Sequence, residues 1–213
     1  MYINGLIKIL LSLLFIFSIL LIVEALFKKH KIKSEYSRKI VHISVATFVA
    51  FWPFYFSFQS VEILSVLLFI VILVSRELHI FKSIHNIKRR TVGDLLFPIS
   101  FFVVALLTHN KYVFLASILT MGVADGLAGL VGIVYIRKFK KKEQKTVIGS
   151  VTFFLAALVI FLLIKTLAPD GISTLNWPLV VLIPLVTALV EHLSLFGADD
   201  ITVPLITLLM LHF

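Results

Sequence analysis

The sequence predicts an all-α, polytopic integral membrane helix bundle of seven or eight transmembrane helices, and three observations predict it. Hydrophobic residues make up 60% of the 213 residues and charged residues only 15%, where a soluble domain carries about 25% charged residues. Mean hydropathy is +1.10. Apolar runs recur along the chain at roughly the 20 residues a bilayer asks of a helix, and the loops between them are too short to hold a soluble domain. Residues 1–213 therefore read as a single transmembrane domain. Disorder, collagen, coiled coil and an ordinary soluble enzyme are excluded by this composition. The absence of cysteine excludes disulfide scaffolds, thiolate zinc sites and cysteine nucleophiles.

The first run, 6–27, is interrupted only by Lys8 and Glu24 near its ends. Lacking a compact basic leader and a small-residue cleavage site, it reads as a retained, peripheral helix rather than a signal peptide. Further runs follow at 40–58, 61–75, 95–108, 112–136, 147–167 and 177–196. The last, 201–213, is short, and predicts a tilted helix or a half-span. The run 112–136 holds Asp125 among Gly122, Gly126, Gly129 and Gly132, which predicts a broken helix near Asp125, because glycines let the backbone bend or approach a ligand closely and interrupted helices are tolerated where they line a cavity. No internal repeat or low-complexity linker is present.

Basic residues set the orientation. The loop after the first run holds Lys28, Lys29, Lys31, Lys33, Arg38 and Lys39; the loop after the third holds Arg76, Lys82, Lys88, Arg89 and Arg90. The loop after the fifth holds Arg137, Lys138, Lys140, Lys141, Lys142 and Lys145, so 17 of the 20 Lys and Arg fall on alternate loops. The positive-inside rule makes that face cytoplasmic and leaves the N-terminus outside. Attraction to anionic membrane lipids accounts for most of the formal charge of +9. Nucleic acid is not an expected partner, since the basic loops offer few aromatic side chains for base stacking.

Ionisable groups within membrane spans are costly and mark function by default. Asp125 is the clearest. Close packing between helices explains the glycines around it but not a carboxylate. Lys145-Thr146-Val147-Ile148-Gly149-Ser150 opens the sixth run, where free N–H groups and the helix dipole favour an anion; Thr and Ser are also ordinary N-caps, and the P-loop spacing is absent. Glu191 ends the next apolar run, followed by Asp199 and Asp200, and converging carboxylates near phosphates are the usual way to hold Mg²⁺. A solvated turn with an N-capping Asp is the plainer reading of Asp199 and Asp200. Arg38 and His42 lie four apart and share a helix face, which suits either a phosphate contact or a satisfied buried histidine. Arg89-Arg90-Thr91-Val92-Gly93-Asp94 enters the fourth run with arginine forks fit for phosphate oxygens. All five clusters fall at the cytoplasmic ends of runs, which describes a phosphate-and-metal site open to the cytoplasm.

On these residues the chain resembles the membrane family of polyprenol, dolichol and phytol kinases, which includes CTP-dependent diacylglycerol kinases, and it is distantly similar to CTP:phosphatidate cytidylyltransferases. The resemblance covers about 38–204. Arg38-Lys39-x-x-His42 resembles the family's RKxxH, and Arg90 to Asp94 with Phe97-Pro98 resembles its basic-then-G[ED]xxFP segment. Ala124-Asp125-Gly126-Leu127-Ala128-Gly129 with Gly132 resembles ADxxAxxxG, Lys145 to Ser150 resembles KTxEGS, and Asp199 to Pro204 resembles DNLTVP. Ile148 stands in place of the family's usual Glu and Asp200 in place of its Asn. The resemblance implies CTP as phosphoryl donor, Mg²⁺ as cofactor and a long-chain isoprenoid or lipid alcohol as acceptor. It implies Asp125 as principal metal ligand with Asp199 and Asp200. Arg38, Lys39, Arg90 and Lys145 would neutralise the triphosphate, with Thr146, Gly149 and Ser150 donating from the helix start, and Glu191 or His42 would accept the hydroxyl proton. The second reading is a CTP:lipid-phosphate cytidylyltransferase, which the same metal and cation set would serve; a transporter of anionic solutes ranks below both enzymes, because the paired interruptions expected of two repeats are absent.

Overall fold

Runs of apolar residues become helices here and turns fall at prolines and polar caps. The computed structural model describes residues 2–30, 34–78, 80, 92–139 and 145–212, with side chains from Ile7 onward, and among these residues it is all-helical with no strand. In order these are α1 (Tyr2–His30), α2 (Ser34–Ala50), a short α3 (Trp52–Tyr55), α4 (Phe58–Glu77) and α5 (Gly93–Leu107). There follow α6 (Lys111–Leu119), a π-helical turn (Thr120–Ala124), α7 (Asp125–Phe139), α8 (Val147–Leu167), α9 (Trp177–Leu193) and α10 (Asp199–His212). Among the described residues four stretches, Ile7–His30, Phe58–Glu77, Lys111–Phe139 and Val147–Leu167, are long and apolar enough to cross a membrane, and α5 and α9 are shorter apolar helices. The outer surface carries exposed Leu14, Leu155, Leu163 and Leu189, an apolar exterior that suits hydrocarbon rather than water.

Several boundaries differ from those the apolar runs suggest. α2 begins at Ser34 rather than near 40 and ends at Ala50, so Arg38, Lys39 and His42 lie within a helix and not at its entrance. It stops there because Pro53, at the start of α3, has no N–H to continue the ladder. α9 ends at Leu193, short of the expected 196, and α10 begins two residues early at Asp199. With 14 residues α10 reaches about 21 Å, less than the ~30 Å of a hydrocarbon core.

The expected break at Asp125 is a subtler feature. α6, the π turn and α7 follow one another as a continuous helical path, with helical backbone at Leu119, Thr120 and Asp125. The glycines do not break it; they admit neighbours. A side chain at Gly122 would meet Ala46 Cβ at 1.9 Å, one at Gly126 would meet Ile43, and one at Gly129 would meet the Lys39 stem. α2 is thereby seated against this helix. A π turn inserts one extra residue, shifts the register of the helix beyond it, and recurs at functional sites. Asp125 stands immediately after it.

The helix ends sort into two groups in space. At one end, Asn110 Nδ2 donates to the Gly171 carbonyl at 2.9 Å, Thr174 Oγ1 donates to Leu211, and Phe54 stacks edge-on to Tyr112. At the other, Val92 N–H donates to the Phe196 carbonyl and Lys145 meets Glu191 and Asp199. The core between them includes Trp52, Phe101, Phe114, Phe153, Phe161 and Met121. α1 joins it through Ile16, Leu20 and Val23 and leaves most of its surface outside.

Candidate active site

α2, α7, α8, α9 and α10 converge on one polar cavity of about 300 Å³, whose wall includes Arg38, Lys39, Asp125, Lys145, Glu191 and Asp199. Each element supplies its residues for a local reason. Glu35, Arg38, Lys39 and His42 fall on one face of α2 because residues three and four apart on a helix are neighbours. Asp125 is aimed at that face by the register after the π turn. Gly149 lets α8 approach α7 closely, since a side chain there would meet the Ala128 carbonyl oxygen at 3.2 Å. The turn before α10 runs through Phe196 (φ 57°) and Gly197 (φ 88°). The left-handed conformation is costly at a phenylalanine, and this bend presents Asp199 and Asp200 inward.

Asp125 is the hub. Its Oδ2 accepts from Lys39 Nζ at 2.6 Å and lies 3.5 Å from His42 Nε2. His42 Nε2 is also 3.4 Å from Asp200 Oδ1 and 3.3 Å from the Met121 carbonyl oxygen, and its ring packs on Phe97. Across the cavity Lys145 Nζ donates to Asp199 Oδ2 at 2.8 Å and to the Glu191 carboxylate and carbonyl. Burial works against the charge of Lys145, but the carboxylates of Asp199 and Glu191 outweigh it and hold the ammonium above the ordinary lysine range. Four carboxylates are thus interleaved with Lys39, Lys145 and Arg38. Ion pairs of this depth persist only where geometry and further hydrogen bonds offset desolvation.

Asp199 and Asp200 are therefore not a solvated turn. Asp200 is 3% exposed, and the two aspartates fall on opposite sides of Asp125: Asp199 groups with Asp125 and Glu191, Asp200 with Asp125 and His42. In each group the ligand atoms lie within 4.8 Å of one another. The first offers three carboxylates, the hard oxygen donors Mg²⁺ takes; the second offers an imidazole nitrogen, which Mg²⁺ seldom uses. By donor chemistry the fitting set is Asp125, Glu191 and Asp199, with Glu191 in the place the sequence pattern gives to Asp200. Asp125 itself sits in the middle of the Lys111–Phe139 span, not at its end, so the site is deeper than the helix-end clusters suggest.

The remaining expected residues divide. Thr146 is the N-cap of α8 and accepts from Gly149 N–H at 3.1 Å. Ser150 Oγ is 2.8 Å from His192 Nδ1. Both line the cavity. Arg38, 9% exposed, borders it with an Nε that has no hydrogen-bond partner among the described residues. Arg90 lies outside the described residues. Glu35, on the cavity wall, is missed by the motif pattern, although its spacing to Arg38 and His42 is the signal that would find it.

Comparison with known proteins adds no assignment: no family model, no curated protein and no solved structure matches the chain.

Proposed function

We propose that the protein is a membrane lipid kinase that transfers the γ-phosphoryl group of CTP to a long-chain isoprenoid alcohol at the cytoplasmic face. The observation that carries this reading is the convergence of cations from α2 and the start of α8 with carboxylates from α7, α9 and α10 round one cavity. Phosphoryl transfer asks for charge neutralisation and in-line positioning more than for covalent chemistry, and the cations and carboxylates of this set support the first. The choice of CTP and of an isoprenoid follows from the motif resemblance. We further read α2, α5 and α9 as membrane passes beside the four longer stretches, and α10 as a half-span, with the end that holds Lys145 and Asp199 facing the cytoplasm.

In this mechanism Arg38, Lys39 and Lys145 neutralise the triphosphate. Asp125, Glu191 and Asp199 would hold Mg²⁺, which when bound offsets charge on the transferring phosphate. The acceptor oxygen attacks the γ-phosphorus, the bond to the β–γ bridging oxygen breaks, and CDP leaves. The hydroxyl proton passes to His42 rather than to Glu191, because Glu191 is engaged by Lys145 whereas His42 also borders an apolar cavity on the other side. Asp200, 3.4 Å away, orients the imidazole.

Label placement tests the reading. With γ-labelled CTP and a free lipid alcohol, label should enter an organic-extractable monophosphate; label entering only from α-labelled CTP, and only with a lipid phosphate as acceptor, would instead establish cytidylyl transfer. Orientation has its own measurement. Single cysteines at Ser34 and Lys138 should react with an impermeant thiol reagent only from the cytoplasmic side, and cysteines at Lys111 and Asp170 only from outside; a reversed or mixed pattern overturns the topology.

A further inference from the structure

A second cavity lies on the far side of Arg38 and His42 from the polar one. It is small, about 60 Å³, and its floor is apolar: Leu20 of α1, Val45 of α2 and Leu68 and Val71 of α4. Its upper end is polar, closed by Arg38, His42 and Asp94. Outward it continues into an apolar groove of about 310 Å³ between α1 and α4, which shares Ile16, Leu20, Leu68 and Val71 with it. α1 leans mainly on α2 and touches α4 only briefly, so the groove faces the side of the bundle that would meet hydrocarbon. Arg38 borders both cavities. It is nine-tenths buried, and its Nε donates to nothing among the described residues.

We infer that the α1–α4 groove is the entry and binding channel for the single apolar chain of the acceptor alcohol, which slides in from the bilayer and delivers its hydroxyl to Arg38 and His42. The occupant follows from the channel's gradient: continuous apolar walls admit a hydrocarbon chain and reject a polar one, while the inner end brings Arg38 and His42 together, a guanidinium that donates to a hydroxyl oxygen and an imidazole that takes its proton. From that position the oxygen stands beside His42, whose Nε2 is 3.5 Å from Asp125. A two-chain phospholipid brings a bulky charged head that the small inner cavity does not fit. α1 then becomes part of the substrate site rather than a peripheral anchor. This inference rests on the kinase reading for the identity of the acceptor, though not for the existence of the channel.

Two experiments on the full-length protein separate the inference from that reading. A long-chain prenyl alcohol with a diazirine on its tail, photolysed in phosphatidylcholine vesicles, should label α1 and α4, at Leu13, Leu68 or Val71, and unlabelled long-chain alcohol should abolish the labelling. Labelling confined to the outer faces of α8 and α9, or undiminished by competitor, overturns the channel. The map is readable even if no alcohol is phosphorylated, an outcome that would sink the kinase assignment alone. In the second experiment Val71→Trp plugs the groove, and the ratio of kcat/KM for a long-chain to a five-carbon prenyl alcohol should fall at least tenfold. Leu155→Trp, on the outer face of α8, should leave the ratio within twofold. An unchanged ratio in Val71→Trp would refute the route.

Discussion

Asp125→Asn should lower turnover roughly 10³-fold or more, which is about 4 kcal/mol of transition-state stabilisation. The change is nearly isosteric but removes the charge to which four neighbouring groups are tuned: Lys39 Nζ at 2.6 Å, His42 Nε2 at 3.5 Å and, through the shared carboxylate cluster, Glu191 and Asp199. A complication is built into the geometry. Removing one partner of a buried ion pair leaves the other uncompensated at a cost of about 3–5 kcal/mol, so the single variant loses stability as well as chemistry. The double variant Asp125→Asn with Lys39→Met separates the two effects, because it deletes both charges and leaves no buried ammonium unpaired. Thermal stability in detergent should recover towards the parent while turnover stays at the floor. If the double variant regains activity along with stability, Asp125 serves only to neutralise Lys39, and the catalytic centre lies elsewhere.

Much of this site is legible in the sequence, and the failures have physical causes. Asp125 stands out because a carboxylate in an apolar run is expensive, a property of the residue and its neighbours alone. The Arg38–His42 pair is legible because helical spacing is local. The start of α2 is not. Glu35, Arg38 and Lys39 depress hydropathy, so an apolar run appears to begin near 40, yet these charges face an interior cavity and the helix runs from Ser34. Lys145 and Glu191 are 46 residues apart, and their pairing is set by how α8 packs on α9, which no spacing encodes. The π turn likewise leaves no composition signature. Thr120 to Ala124 reads like any helical stretch, and the extra residue shows only in the register by which Asp125 meets α2. That Asp199 and Asp200 face different partners is hidden for a related reason: adjacent residues at a helix start point in divergent directions, here to Lys145 and to His42.

That register makes Gly122 the most sensitive position outside the charged groups. A methyl group there would lie 1.9 Å from Ala46 Cβ and 3.4 Å from Ala46 Cα. Neither atom is the end of a flexible chain, and both residues are fully or nearly fully buried, so relief requires α2 to move away from the π turn. Overpacking of this kind typically costs about 1–3 kcal/mol and occasionally more. The displacement also carries Lys39 and His42 away from Asp125. Gly122→Ala should therefore depress both the melting temperature in detergent and turnover, the latter by at least tenfold, although no functional group is touched. At Gly126 the clash is with the Ile43 side chain, at 2.2 Å from Cγ1, and a rotamer change there can absorb part of it, so Gly126→Ala should be the milder variant. Complementation decides whether packing is the cause. Ala46→Gly removes the opposing methyl and leaves the Ala46 Cα distance in the ordinary contact range, at the cost of about 1 kcal/mol for a glycine within α2. Combined with Gly122→Ala, it exchanges the two residues across the interface and should restore most of the lost stability and turnover. If the double variant is no better than Gly122→Ala alone, the glycine is needed for a backbone state within the π turn, and close approach of α2 is not what holds Asp125 in its place.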